Sequence, residues 1–428
     1  MIVNIHTLTQ LPAGLLNRDF RGHIKTVPYG NASRTRISSA ALKRVWRDAK
    51  GPWAISELLP AAVRSRAVFR EMVAEKLVAA GHDPLLVAHA TLPWIHAVCG
   101  QSDNAKRKDE GVDPMDPLAS LLRNEAVSMT EPELAWIRGR VEAALALGED
   151  ADGVTEAAEA DTRTHRANVK AIADNASIET VLTGRFTSGD AASRSEAALS
   201  VAHAFTTHRH QAVRDSLALI DTLLTPRTGA AACLNEQPIA AGTFYGYSCL
   251  SLPVMVSNLT GCAQGDWQAH ANEDAHALVE RMILTIYNAT IRTGKTTGAS
   301  FGKPGLVMVE LGPWHQINHA EAFEAALDDA TVRTAGRRLA DYLGERDAFE
   351  GFSGEGRQGV TRLYASIDRE LEIPDATRMS VAELARRTAA LALGTPAGTA
   401  GRAGSSPRNK TEPEATSAKK ARSRRKAA

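Results

Sequence analysis

Three short stretches of this chain carry apolar residues at every second position, a fourth is continuously apolar, and helical patterns fill two of the gaps between them. No other feature of the sequence narrows the possible folds so far. "IVNIHTLT" (Ile2–Thr9) puts Val3 and Ile5 on one side and Asn4 and His6 on the other. "ALSVAHAFTT" (Ala198–Thr207) puts Leu199, Val201, His203 and Phe205 together, "AGTFYGYSCLSL" (Ala241–Leu252) alternates with aromatics, and "GLVMVEL" (Gly305–Leu311) is short and apolar. A period of two is the mark of a strand. A helix capped by Ser38 or Ser39 is expected to run to about Ala49. "HANEDAHALVERMILTIYNAT" (His270–Thr290) is a second, with acids in its first turn, where the helix dipole favours them.

The resulting order is strand, helix, strand, strand, helix, strand. That is the α+β, ferredoxin-like arrangement, which RNA-recognition (RRM-like) modules share. At 428 residues the chain is long enough for two or three domains or for one with large insertions. The expected core comprises residues 1–50, 191–207 and 241–393, with helices resuming at 320–345 and 378–393. Within it, residues 10–37 read as a loop marked by Pro12, Gly14, Gly22, Pro28 and Gly30. Residues 51–190 read as a mostly helical insertion. Residues 208–240, with "TPRTGAAACLNEQP", read as an irregular projection. Residues 394–428 contain no Val, Ile, Leu, Met, Phe, Trp, Tyr or Cys, so this tail is expected to be disordered.

The net charge of +1 conceals an asymmetry. Residues 1–50 hold nine Lys/Arg against Asp19 and Asp48, and the tail from Gly394 again holds nine against two. The remainder has 32 bases (50 − 18) and 45 acids (49 − 4), a net of −13. A basic segment on an acidic body points to a localised polyanion site. Cys99, Cys233, Cys249 and Cys262 are scattered, as in a reducing compartment. No apolar run reaches the ~18 residues of a membrane helix, and "MIVNIHTLTQ" lacks the pattern of a signal peptide. A cytoplasmic protein without membrane contacts is expected.

"SRTRISSAALKRVWR" (Ser33–Arg47) concentrates that charge, with five cations and no acid. On the helix, Leu42, Val45 and Trp46 form one apolar stripe, and Lys43, Arg44 and Arg47 occupy the opposite arc. An amphipathic helix with a solvated basic face would look the same. The preceding residues Arg18, Arg21, Lys25, Arg34 and Arg36, and a helix N-terminus able to hold phosphate, favour a polyphosphate backbone as ligand. Other chemistries find less support. "TGKTTG" (Thr293–Gly298) lacks the first glycine of a phosphate-binding loop, since Ala289 stands there, and it follows a helix. His315 and His319 share a spacing that suits metal ligands, but no H-E-x-x-H occurs, and neither metal nor cofactor is expected. No nucleophile elbow is present. Asp19 reads as an organiser of its basic loop. "TFYGY" could stack bases or divide its rings between core and surface. "GRFTSG" (Gly184–Gly189) offers Arg185 and Phe186 to a nucleotide.

"HTLT", "LNRD" (Leu16–Asp19), Lys25, "YG" (Tyr29–Gly30), "RTRISSAALKRVWR", "GRFTSG" and "SVAHAFTTH" (Ser200–His208), in that order, resemble the CasC family, the backbone subunit of type I-E CRISPR Cascade, within the RAMP superfamily. The likeness is densest over residues 1–50 and 180–312. It implies a hand-shaped subunit with an RRM-like palm, helical fingers over 51–190 and a thumb over 208–240. Copies would stack along CRISPR RNA and present it to a target DNA strand, beside large, small, cap and RNA-processing subunits. Carried over, backbone contacts fall on Arg18, Lys25, Arg36, Ser38, Lys43, Arg44 and Arg47. Arg185 and Phe186 would lie against neighbouring nucleotides, and Arg227, Thr228 and Gly229 would lie in the thumb. The charge reading adds Arg34 and the cap reading Ser39. Ala40 stands where the family suggests a polar residue. The subunit is non-enzymatic in this family; related subunits cut RNA with a metal-assisted loop aspartate, for which Asp19 is the counterpart here.

Overall fold

The computed structural model describes residues 1–100, 113, 115–165, 177–185, 195–220, 231–289, 291, 302–313, 316–351 and 359–394. Twelve strands occur among them: β1 (Ile2–Gly14), β2 (Thr26–Tyr29), β3 (Ala32–Ile37), β4 (Val63–Ser65), β5 (Val127–Met129), β6 (Leu199–Val201), β7 (Ala204–Thr206), β8 (Ala212–Ile220), β9 (Ala231–Ser251), β10 (Pro304–Gly312), β11 (Thr361–Ser366) and β12 (Ala376–Arg378). The α-helices are α1 (Ser39–Arg47), α2 (Glu75–Ala79), α3 (Pro84–Cys99), α4 (Glu131–Leu145), α5 (Ala151–Thr164), α6 (Leu252–Thr260), α7 (Glu273–Asn288), α8 (Val332–Glu350) and α9 (Val381–Leu393).

The main sheet runs β12-β11-β10-β1-β9-β7-β3-β2, with β6 and β8 also pairing with β9. Its centre is antiparallel: β1 lies between β10 (Ile5 opposite Val309) and β9 (Ile5 opposite Ser248). Val3, Ile5, Val307, Val309 and Leu363 face one side of the sheet and pack under α1, α6, α7 and α9. Leu8, Tyr245, Leu306, Met308 and Tyr364 face the other side and pack under α8 through Leu339 and Leu343. The sheet is therefore a middle layer. For that reason Asn4 and His6, expected on a polar side of β1, are buried.

Several local expectations need correction. The stretch 10–37 is not simply a loop, because β1 continues to Gly14 and β2–β3 forms a hairpin turned by Asn31 and Gly30. Gly30 has φ +56°, and a Cβ there would meet the Glu324 carbonyl, so glycine is required. The arm at 208–240 is not irregular on its flanks: β8 and β9 pair from Ala212–Ala240 to Ile220–Ala231. The predicted strand around 198–207 breaks at Ala202–His203 into β6 and β7, which leaves His203 exposed instead of aligned with Leu199 and Phe205.

The insertion has its own core, built by Phe69, Trp94, Leu134, Val141 and Val154 with others. It carries helices α2–α5, as its pattern suggested, and also a small two-stranded antiparallel sheet in which β4 and β5, far apart in sequence, pair. Thr130 and Glu133 form a reciprocal capping box at the start of α4, satisfying two backbone donors at once. The tail beyond Gly394 lies outside the described residues.

Candidate nucleic-acid interface

Helix α1 begins where three stretches of chain meet. Ser38 is its cap, and the Ser38 hydroxyl accepts from the Ala41 amide at 3.3 Å. The Ser38 amide donates to Asn17 Oδ1 at 3.1 Å, and the Ser39 amide donates to His203 Nδ1 at 2.9 Å. The Lys25 amide donates to the Asn17 carbonyl and the Arg36 amide to the Lys25 carbonyl. Asn17, Lys25, Arg36, Ser38, Ser39 and His203 are thus held together by backbone amides and by the side chains of Asn17 and His203. Burial lowers the pKa of His203, and the charges of Arg36 and Lys25 lower it further. A neutral ring is what an Nδ1 acceptor requires.

The cations of α1 divide by surroundings. Arg44 is exposed, with Asp48 at 3.4 Å. With Arg18, Asn17 and Lys50 it lines an open cleft of about 730 Å³. Lys43 is half-buried, and its pKa is lowered by burial first and by Arg64 second. Arg47 is the most committed: 3.0 Å from Asp48 and 3.7 Å from the buried Glu179. The basic arc therefore has acids beside it, Asp48 from the end of the helix and Glu179 from far along the chain.

Two predicted contacts are corrected outright. Arg34 is fully buried and donates to the carbonyls of Thr206, Phe323 and Glu324 at 2.9–3.2 Å. It joins β3 to the segment before α8. Arg36, two residues on and on the same face of β3, is only half-buried and donates to the Thr26 carbonyl at 3.3 Å near the surface, so burial rather than face separates the two arginines. Arg185 is buried and ion-paired with Glu133, the capping-box acid of α4. Phe186 and the thumb residues Arg227, Thr228 and Gly229 lie outside the described residues. In "TFYGY", Phe244 and Tyr245 are buried in separate core clusters, which leaves neither ring open to a base.

Asp19 organises its loop mainly through backbone bonds. Its Oδ1 accepts from the amides of Arg21 and His23, both at 2.9 Å, and its Oδ2 lies 3.6 Å from the His23 ring. Desolvation pushes its pKa up, but the His23 and Arg21 amides outweigh it and hold the carboxyl below its ordinary value.

Among the described residues, His6, Glu310 and His319 are the trio whose ligand atoms approach closely enough for a metal. Arg362 Nε already donates to Glu310 Oε1 at 2.8 Å, and Arg362 also binds Asp347. A cation beside that guanidinium would be repelled, so the trio reads as a buried ion-pair network supporting the sheet. Among the described residues no helix is long and apolar enough to cross a membrane.

Arg64, Asn17 and His203 belong to the site although the sequence did not single them out. His203 lay in a stretch read as a continuous strand, and no local pattern places Arg64 next to Lys43.

The profile of the family described as CT1975-like protein matches residues 3–386. A chain of a solved "CRISPR RNA-guided surveillance complex, pre-nicking" aligns with a TM-score of 0.74 and 23% identity, over 92% of this chain and 100% of that one. A chain of another solved "CRISPR RNA-guided surveillance complex" aligns at 0.62 and 22%, over 91% and 99%. These likenesses are of fold. No curated protein matches the chain.

Proposed function

Since this chain belongs to the CT1975-like protein family of Cas proteins, we propose that it is a guide-RNA-holding backbone subunit of a type I-E, Cascade-type surveillance complex. The observation that carries this reading is a set of like charges held against one another. Burial and then the nearby Arg64 lower the pKa of Lys43, and at the N-terminus of α1 Lys25 and Arg36 are tied together by a backbone hydrogen bond beside His203, whose pKa burial and then their charges lower. A phosphate backbone relieves that repulsion, and no base-specific group is needed. Arg18, Lys25, Arg36, Lys43 and Arg44 are its contacts in this reading, with Ser38 and Ser39 shaping the helix start.

The strand order supports an RRM-like palm. Numbering the predicted strands 1 to 4, the sheet reads 4-1-3-2 with every neighbour antiparallel, as in ferredoxin-like folds. Here α8 covers the sheet face that such modules commonly offer to bases. RNA is therefore held at the edge of the palm. The β8–β9 ribbon serves as the thumb, and the insertion 51–190, with its separate core from Val63 to Ala158, as the fingers. Copies of the chain would line the guide in the cytoplasm, with target DNA and the other Cascade subunits as further partners.

We read the subunit as non-enzymatic, because the Asp19 carboxylate is occupied by two amides of its own loop. The test is to purify the chain with its bound RNA, sequence that RNA, and offer a complementary strand with magnesium. Spacer-derived RNA held without cleavage supports the proposal. Metal-dependent cleavage abolished by Asp19→Ala would make the chain an RNA-cutting RAMP protein instead.

A further inference from the structure

Phe20 is 92% exposed, yet the turn that carries it is tightly fixed. Arg18 and Ile24 pair across its base, and the Asp19 amide donates to the His23 carbonyl at 2.8 Å. Gly22 closes the turn with φ +86°, a conformation that glycine adopts at little cost. The two amide bonds to the Asp19 side chain brace it further. A large apolar ring has thus been placed in water on a rigid support, where a flexible loop could have folded it away.

The surroundings of the ring define what it suits. The Arg21 guanidinium lies 5.3 Å from the ring centroid. Arg18, Arg21 and His23 face Arg214 of β8 across a cleft of about 300 Å³, between this turn and the root of the ribbon. One carboxylate, Glu236, is within the cleft, and it pairs with Arg214. An apolar protein segment docking on Phe20 would have to bury those cations without partners, which is costly. A single-stranded polynucleotide offers a flat π face to the ring and, one bond system away, a phosphate to the guanidiniums.

We propose that Phe20 is a stacking platform for one unpaired nucleobase, with Arg18 and Arg21 holding the adjacent phosphate. The inference rests on the polynucleotide-binding reading above and adds a base contact to it. The base belongs either to the guide or to the target strand laid along it, and the ring chemistry is the same for both.

The experiment compares wild type, Phe20→Ala and Phe20→Trp on oligo-uridine RNA and on an abasic oligomer of equal length. A second arm titrates a complementary DNA strand, with and without an abasic position, onto guide-loaded protein. Base–aromatic stacking predicts that Phe20→Ala weakens binding roughly 5- to 150-fold where a base is present and not where it is absent. Phe20→Trp should bind like wild type, and melting temperatures should not change, because the ring packs on no core. An effect in the first arm assigns the base to the guide, and an effect confined to the second assigns it to the target. Equal loss on base-bearing and abasic strands, no loss in either arm, or a loss only of self-assembly between copies would overturn the proposal. Failure of wild type to bind any strand would instead overturn the polynucleotide-binding reading itself.

Discussion

The Arg47 guanidinium lies 3.7 Å from the carboxylate of Glu179, a side chain only 1% exposed at the far end of the finger insertion. Glu179 also accepts from the Ala62 amide at 2.8 Å, so one buried acid ties helix α1 to both ends of that insertion.

This contact separates Arg47 from its neighbours on the helix. Arg47→Ala is expected to leave Glu179 with Arg64, at 3.9 Å, as its remaining cation. Breaking a buried pair costs up to ~3–5 kcal/mol, and the second arginine reduces that to on the order of 1–3 kcal/mol. Chemical denaturation checks this, and wild-type stability in Arg47→Ala would mean the pair contributes nothing.

Arg34 makes a sharper case. Removing its side chain would leave three buried carbonyls short of a donor and a cavity in their midst. Arg34→Ala should lose roughly 3–5 kcal/mol, as for other large buried truncations with lost hydrogen bonds. Its folded fraction should bind RNA with an unchanged salt slope. A shallower slope with intact stability would return Arg34 to the binding face.

Trp46 is 6% exposed and packs with Ile55, Met282 and Ile286. Trp46→Ala should cost ~3–5 kcal/mol. A melt within a degree of wild type would show that the apolar stripe does not anchor α1.

What was legible in the sequence was local. The stripe of Leu42, Val45 and Trp46, the Ser38 cap and the existence of strands at the four palm stretches are set by neighbours a few residues apart, and each is seen in the fold, although the second strand is split into β6 and β7. Reading charge as exposure failed at Arg34 and Arg185, because their partners lie 172–290 and 52 residues away. The polar side of β1 was misjudged for the same reason: α8, which covers it, begins at Val332. Phe20 could have been noticed as an aromatic inside a polar loop, but its exposure could not be read from its neighbours.

Acid should loosen the sheet. Burial above all drives the pKa of His6 down to about 4, so the ring is neutral in the fold. Burial pushes Glu310 up, but hydrogen bonds from His319 and His6 and the charge of Arg362 prevail and hold it well below its ordinary value. Both groups bind protons more readily when unfolded. The stability from neutral His6 is complete above about pH 6.5 and is lost as pH falls towards 4, and that from ionised Glu310 is lost below about 4.5. His6→Gln should flatten the dependence of unfolding free energy on pH between 6.5 and 4, by at most about 1.4 kcal/mol per unit. An unchanged slope would mean His6 does not take up the proton.

The central claim is that Lys43 and Arg44 of α1 hold a phosphate backbone. The direct measurement is guide-RNA affinity of Lys43→Ala/Arg44→Ala at several salt concentrations, with Arg47 left in place to keep its pair with Glu179. The account predicts a folded protein with much weaker binding to any RNA sequence, and a log–log salt slope shallower by about 0.7 for each contact removed. Wild-type affinity and slope in that double variant would contradict it, and would leave Lys43 and Arg44 as nothing more than the solvated face of an amphipathic helix.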